Sequence, residues 1–302
     1  MRMLAKQIYR RLPLKRPIFE WMRTRFSLPQ NIYQHLHFEG PFNVKIDDEH
    51  MFRMHSGGSY LENELFWGGY GKSWEAMSLN VWTAMCRRAG DGLILDIGAN
   101  SGAYALAGQS LAPSAEVVAF EPLTRMAAKV RRNAALNDMQ LNIVEMAVSD
   151  HTGTLPIFDV MIDNNYSASL EGQGPDAQSY DVDICSIDSF LAERPAKPVA
   201  AIKIDIERHE PAALRGMVKT LERHRPPVLI EILDADVGKE CSEALGGIPY
   251  ARYTIIEEGG LRPTRELAPA GGHDWNHLLC MPDDFDQMGL GRYLLPSALS
   301  RS

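Results

Sequence analysis

Asp96 stands near the end of the largely apolar run 93–97, Gly98, Asn100 and Gly102 follow it, and Glu121 comes directly after a second such run, 116–120. Glycines after a buried strand let a ligand approach the backbone at a helix N-terminus. An acid ending the next strand can accept hydrogen bonds from ribose hydroxyls. The dinucleotide fingerprint G-x-G-x-x-G is not met, because Ala99 and Asn100 follow Gly98. Asp96 is a poor neighbour for a pyrophosphate and a good one for a cation. S-adenosylmethionine carries an ammonium and a sulfonium and no phosphate, so this spacing favours it over NAD. No G-K-[ST] follows, which excludes a P-loop. A plain strand-to-helix turn would explain the glycines alone, but not Glu121 in addition.

A second group of reactive side chains, Asp205, Glu207, His209, Glu210 and Glu231, falls at the ends of two later apolar runs. Methyl transfer from a sulfonium is an in-line displacement in which positioning supplies much of the rate. A neutral hydroxyl acceptor also gains from losing its proton, so a base is expected. His209 is the first candidate, since a neutral imidazole accepts a proton near pH 7. Asp205 or Glu207 would then orient it or position the substrate; the alternative for His209, Glu207 and Glu210 is ordinary first-turn helix residues. Lys203, two residues before Asp205, lies on the same side of its strand and calls for Glu231 or Asp96 as a partner. Asp205 and Glu231 could offer two ligands to Mg²⁺, but no third stands at matching spacing, so no metal site is assigned.

In the cofactor site, Asp96 and Gly98 are expected at the amino-acid end, Asn100 and Gly102 in the first turn, and Glu121 at the ribose. Glu145 to Ala147 are the expected adenine neighbours, with Ala147 the chosen contact. Tyr104 reads as pocket wall or core, and Trp74-Glu75 as a donor cap or helix packing. The stretch 165–169 is either a polar substrate loop or a plain turn.

These groups need an alternating scaffold. The pattern gives strands at 93–97, 116–120, 142–148, 199–205 and 227–232, then 252–257 and 277–281. Helices are expected at 102–111, 123–137, 211–224 and 237–246. Residues 61–89 read as helix broken by the loop 66–71, and 27–60 as irregular with short strands. Between 150 and 190 the rhythm changes to two antiparallel strands, 155–160 and 180–187, around a polar loop at 163–178, with a short helix from Ser186. The near-continuous apolar run at 199–205 suits a parallel strand covered on both faces. The expected layout is a basic, partly helical extension over 1–74 and an α/β domain over 75–302 with its insertion at 150–190.

Asp96-Ile97-Gly98-Ala99-Asn100, Phe120-Glu121-Pro122, the run 202–207 with His209 and Glu210, and Leu229-Ile230-Glu231 together resemble the FkbM-type methyltransferases. The resemblance covers roughly residues 75–257. It implies the class I, Rossmann-like fold, a doubly wound and mostly parallel seven-stranded sheet. It also implies S-adenosylmethionine as donor and a hydroxyl of a sugar, glycan or secondary metabolite as acceptor. Many family members carry glycine where this chain has Arg208.

The chain has 302 residues and a net charge of −8, yet residues 1–26 hold eight Lys or Arg against Glu20 alone. Apolar residues are interleaved with those bases, which suits an anionic membrane surface, an acidic partner, or packing on the chain's own acidic domain. No uncharged run reaches the length of a bilayer span, and a signal peptide is not expected. Four dispersed cysteines form no C-x-x-C pair, which suits a reducing cytoplasm without a zinc site. No basic face suggests a nucleic-acid partner, and the expected partner is a small molecule or glycan. Two rival readings keep the same fold: a non-catalytic donor-binding scaffold, for which Arg208 is the motivating feature, and an NAD-linked oxidoreductase.

Overall fold

The computed structural model describes residues 14–159, 168–169 and 178–296. Two helices, Lys15–Arg25 and Gln30–Tyr33, lead into an antiparallel hairpin of β1 (Gly40–Lys45) and β2 (Met51–Ser56). Strand alternation puts Phe42, Val44, Phe52 and Met54 on one buried face. The next helix, Tyr60–Trp67, opens with a capping box in which Ser59 and Glu62 satisfy each other's backbone N–H groups. The stretch 27–60 is therefore more ordered than its sequence suggests, because each strand shows too few alternating positions to stand out. Helix Ala76–Cys86 follows the expected break.

The main sheet is built from β3 (Leu93–Ile97), β4 (Glu116–Phe120) and β5 (Asn142–Val144). After an insertion of β6 (Ala147–Val148), β7 (Gly153–Asp159), β8 (Ala168–Ser169) and β9 (Gln178–Cys185), it resumes with β10 (Val199–Ile204) and β11 (Val228–Glu231). It is completed by β12 (Ala251–Ile256), β13 (Gly260–Pro263) and β14 (Asn276–Cys280). The order is β5-β4-β3-β10-β11-β14-β12-β13. The strands from β5 to β11 are parallel, and β14 runs against both its neighbours. This is the expected doubly wound, Rossmann-like sheet, with one short edge strand, β13, added as a hairpin on β12. Strand order reverses between β3 and β10, and ligands of open α/β sheets bind at the carboxyl ends beside such a reversal.

The sheet's two faces close separate cores. Ile94, Ala201, Leu229 and Leu278 pack with the hairpin, with Phe66 and with helices Ala76–Cys86 and Ala103–Leu111. Leu95, Ile97, Ile204 and Ile230 pack on the other side, with Leu214, Leu221 and Leu245 from the later helices. Residues 40–67 thus contribute to the core of the sheet itself.

Two expected elements are divided. The helix expected over 211–224 is split into Glu210–Arg215 and Val218–His224. A Cβ at the intervening Gly216 would lie 2.0 Å from the Ser149 carbonyl oxygen, so the chain breaks where it passes that backbone. Asp188 caps the second piece through the N–H groups of Lys219 and Thr220. The strand expected over 142–148 is also divided, β5 joining the main sheet and β6 pairing with β9 in the insertion's sheet. The antiparallel pair of the insertion is present as β7 and β9. Most of the polar loop, including Asn165, Tyr166 and Ser167, lies outside the described residues, as do residues 1–13.

Candidate functional site

A cleft opens at the carboxyl ends of β3, β4 and β10. Gly98, Asn100, Phe120, Glu121, Met126, Met146, Ala147, Ile157, Asp205 and Glu207 are among its lining residues. Its first turn is built for close approach. Gly98 has φ +83°, and a Cβ there would fall 1.9 Å from the Asp205 carbonyl oxygen. Asn100 and Gly102 are also left-handed, with φ 51° and 87°. Glu121 ties this turn to the end of β4. Its two carboxylate oxygens accept from the Asn100 N–H at 2.8 Å and the Leu123 N–H at 3.0 Å. Burial pushes its carboxyl up to about 7 against the pull of those N–H groups. A carboxylate has about four acceptor sites, so hydroxyl partners can still be added on the cleft side. Met126, Met146, Ala147 and Ile157 form an apolar wall suited to a flat heterocycle. Ile157 comes from the insertion, and sequence reading did not single it out.

Asp96 lies behind this lining. It is fully buried and faces the opposite side of the sheet from Ile97. Among the described residues neither carboxylate oxygen meets a donor at normal hydrogen-bonding distance. Burial raises the carboxyl to about 6, with the Lys203 ammonium and the Ala105 N–H opposing. The buried Asp96 carboxylate and Asp205 put negative charge behind the glycine turn, which favours a cationic amino-acid group in the cleft, and Glu121 with the apolar wall fits an adenosine. The residues present therefore suit S-adenosylmethionine.

Asp205 links the cleft to a second polar group buried on the far side of β3 and β10. The Lys203 ammonium is 2.9 Å from Asp205 Oδ2, 3.4 Å from the Gly98 carbonyl oxygen, and 5.0 Å from the Tyr104 ring centre. Lys203 thus pairs with Asp205 directly and with Asp96 at longer range. Burial opposes its charge, but the carboxylates of Asp205, Asp96 and Glu75 outweigh it and hold the ammonium above the ordinary lysine value. Glu231 is hydrogen-bonded to Asp205. Burial, then the charges of Asp205 and Glu75, drive Glu231 far above the usual carboxyl range, so the hydrogen-bonded pair retains a proton. Glu75 bonds the Tyr104 hydroxyl, and burial and Asp205 raise its carboxyl to about 8. Glu257 reaches the same helix start, accepting from Met77 N–H at 2.8 Å, Ser78 N–H at 3.2 Å and the Ser78 hydroxyl. Sequence reading missed Glu257, which no local pattern connects to residues so distant along the chain.

The turn after β10 separates the remaining candidates. Glu207 and Arg208 are both left-handed, with φ 55° and 79°. Glu207 lines the cleft. Arg208 forms a 2.6 Å ion pair with Asp234, which also caps the helix Ala235–Leu245. Glu210, fully buried, accepts from the Ile206 N–H at 3.0 Å and closes the turn from behind. His209 is carried away from Asp205: its Nε2 lies 3.0 Å from the Ser149 hydroxyl, and its charged neighbours are Asp150, Arg215 and His151. Burial holds its imidazole below the ordinary value. Among the described residues, no group of three or more His, Cys, Asp or Glu side chains is placed to hold a metal ion. All four cysteines are buried free thiols.

A family model described as Methyltransferase FkbM domain matches residues 96–252. A search of curated proteins gave no match. Among solved structures, a methyltransferase FkbM from Methylobacillus flagellatus is 16% identical with a TM-score of 0.41 over 63% of this chain, which spans 43% of that protein. A precorrin-6y C5,15-methyltransferase from Geobacter metallireducens is 12% identical, with a TM-score of 0.41 over 69% of this chain and 90% of its own. An O-methyltransferase from Bacillus cereus, in complex with SAH, is 13% identical, with a TM-score of 0.40 over 67% of this chain and 80% of its own.

Proposed function

Because the chain belongs to the FkbM methyltransferase family, with S-adenosylmethionine as its methyl donor, we propose that it methylates a hydroxyl oxygen of a sugar, glycan or secondary metabolite. The observation that carries this reading is Asp205, which faces the cleft and is backed by Lys203 and Glu231. When bound, the donor supplies a methyl group on a cationic sulfur, and the residues that would hold it are Glu121, Gly98, Asn100, Ala147 and the apolar wall, with Asp96 behind them. Gly102 keeps the turn open beside them.

Asp205 has the attributes of the base. Lys203 holds the Asp205 carboxylate in place from behind at 2.9 Å, and Glu231 is hydrogen-bonded to it, leaving its cleft-side edge to the acceptor. As the acceptor oxygen gains its bond to carbon, its hydroxyl proton passes to the Asp205 carboxylate. Glu207, on the same wall, would accept from a neighbouring hydroxyl and fix the acceptor's orientation. An amine among these carboxylates would be held as an ammonium without a lone pair, and a carboxylate acceptor would be repelled. A hydroxyl suffers neither penalty. His209, the base suggested by sequence, is bonded to Ser149 instead and is assigned a place in the turn's framework.

The test is to incubate the protein with S-adenosylmethionine and a panel of sugars, glycosides and hydroxylated metabolites, following S-adenosylhomocysteine release and locating the new methyl by NMR. An O-methyl product supports the reading. A methyl on nitrogen or on a carboxylate overturns it, and donor binding without turnover across the panel favours the scaffold instead.

A further inference from the structure

The helix Lys15–Arg25 has two apolar faces, and the domain covers only one. On the inner face Phe19 packs against Trp67 with ring centres 5.3 Å apart, and Lys15 bonds the His37 carbonyl oxygen. Arg23 donates to the carbonyl oxygens of Phe66 and Asn43 at 3.0 and 3.2 Å. Packing on the chain's own domain therefore accounts for this face. The outer face carries Leu14, Ile18 and Trp21 at helical spacing, 70%, 51% and 56% exposed, and Phe26, 52% exposed, contacts the Trp21 ring edge at 5.7 Å. Single exposed apolar residues are ordinary, but four on one short segment mark a docking surface.

Charge identifies the occupant. Residues 1–26 carry a net +7, and the rest of the chain −15. Arg25 lies beside the exposed face in helical register, and residues 1–13 add four bases and no acid. A second copy of the chain docked on this face would bring two +7 segments together, whereas an anionic lipid surface attracts this segment and repels the acidic body. Trp and Phe on a short basic helix suit the boundary between headgroups and acyl chains. Among the described residues, no helix is long and apolar enough to cross a membrane, so the contact would be one of surface docking. We propose that the helix Lys15–Arg25 seats its Leu14-Ile18-Trp21 face, with Phe26, in an anionic phospholipid surface.

The experiment is co-sedimentation of the full chain with phosphatidylcholine vesicles, alone and mixed with phosphatidylglycerol, across a salt series. Sedimentation velocity without lipid runs alongside. Binding is expected to the mixed vesicles only and to weaken about tenfold as salt rises. The double variant Ile18→Glu, Trp21→Glu should lose vesicle binding while its melting temperature and S-adenosylhomocysteine affinity stay unchanged. The variant Arg25→Glu should weaken binding without altering the fold. Failure of the full chain to bind, or equal binding by the Ile18→Glu, Trp21→Glu variant, overturns the proposal. Self-association that this variant abolishes, in a chain that ignores vesicles, would make the face a contact between copies; capture of an acidic protein in place of lipid would also overturn it.

Discussion

The two turns that meet at the site, one after β3 and one after β10, solve the same problem by different means. Both leave a parallel strand, pass through left-handed backbone and enter a helix beside the cleft. The first uses Gly98 and Gly102 with Asn100 between them, residue types that take positive φ at little cost. The second uses Glu207 and Arg208, for which the same conformation is costly. It is kept in place from outside, by the Glu210 carboxylate on the Ile206 N–H and by the Arg208–Asp234 pair. One turn is specified by its own residues. The other is imposed by its neighbours, which lets chemically useful side chains occupy positions where glycine would be easier.

The largest expected effect is on the first turn. Gly98→Ala puts a methyl against the Asp205 carbonyl oxygen in a strained backbone. It should cost about 3 kcal/mol or more, seen as a large fall in melting temperature and loss of S-adenosylhomocysteine binding by calorimetry. A merely modest loss would mean that the two turns do not touch as described.

Next in size is the chemical contrast on the β10 side. Asp205→Asn should keep donor affinity and lower kcat by about 10²–10⁴. His209→Ala should leave kcat within about threefold, since it removes neither cleft lining nor a neighbour of Asp205. The reverse ranking would return the base role to His209.

Ionisation offers a smaller, graded test. Glu121 and Glu210 are each held near 7 by burial, above the ordinary 4.5. A folded pKa above the unfolded one favours the protonated folded state. The stability each contributes is full below the ordinary value and is lost as pH rises through about 7. The donor-free protein should therefore melt a few degrees lower at about pH 8 than at about pH 5. Glu210→Gln, which still accepts from Ile206, should flatten part of that slope, and an unchanged slope would remove Glu210 from the account.

The smallest effect is expected at Arg208. Arg208→Gly relieves a left-handed residue worth about 1 kcal/mol and forfeits a partly exposed ion pair worth about as much. Melting temperature should shift by no more than a degree or two, with kcat within about threefold. A large loss would show that the ion pair does more than offset backbone cost.

Much of this was open to sequence reading. The strand–turn–helix order, the first turn and the acids ending β4, β10 and β11 carry their signals locally, in glycine placement and apolar runs. The position of His209 was not legible, because two left-handed residues rotate it away from its own strand's ligand end. Nor was Glu257 at the start of the helix Ala76–Cys86, since such a contact leaves no periodicity.

By itself, then, the sequence determined the alternating elements, the glycine turn that admits a donor, and which acids end which strands. These follow from backbone conformational preference and from burial, both of which act residue by residue. Only the tertiary structure decided that Lys203, Glu231 and Glu75 crowd behind Asp205, and that Asp96 is sealed beneath the turn. Charge coupling between buried groups depends on separation in space, and strands far apart in the chain become neighbours only when the sheet forms.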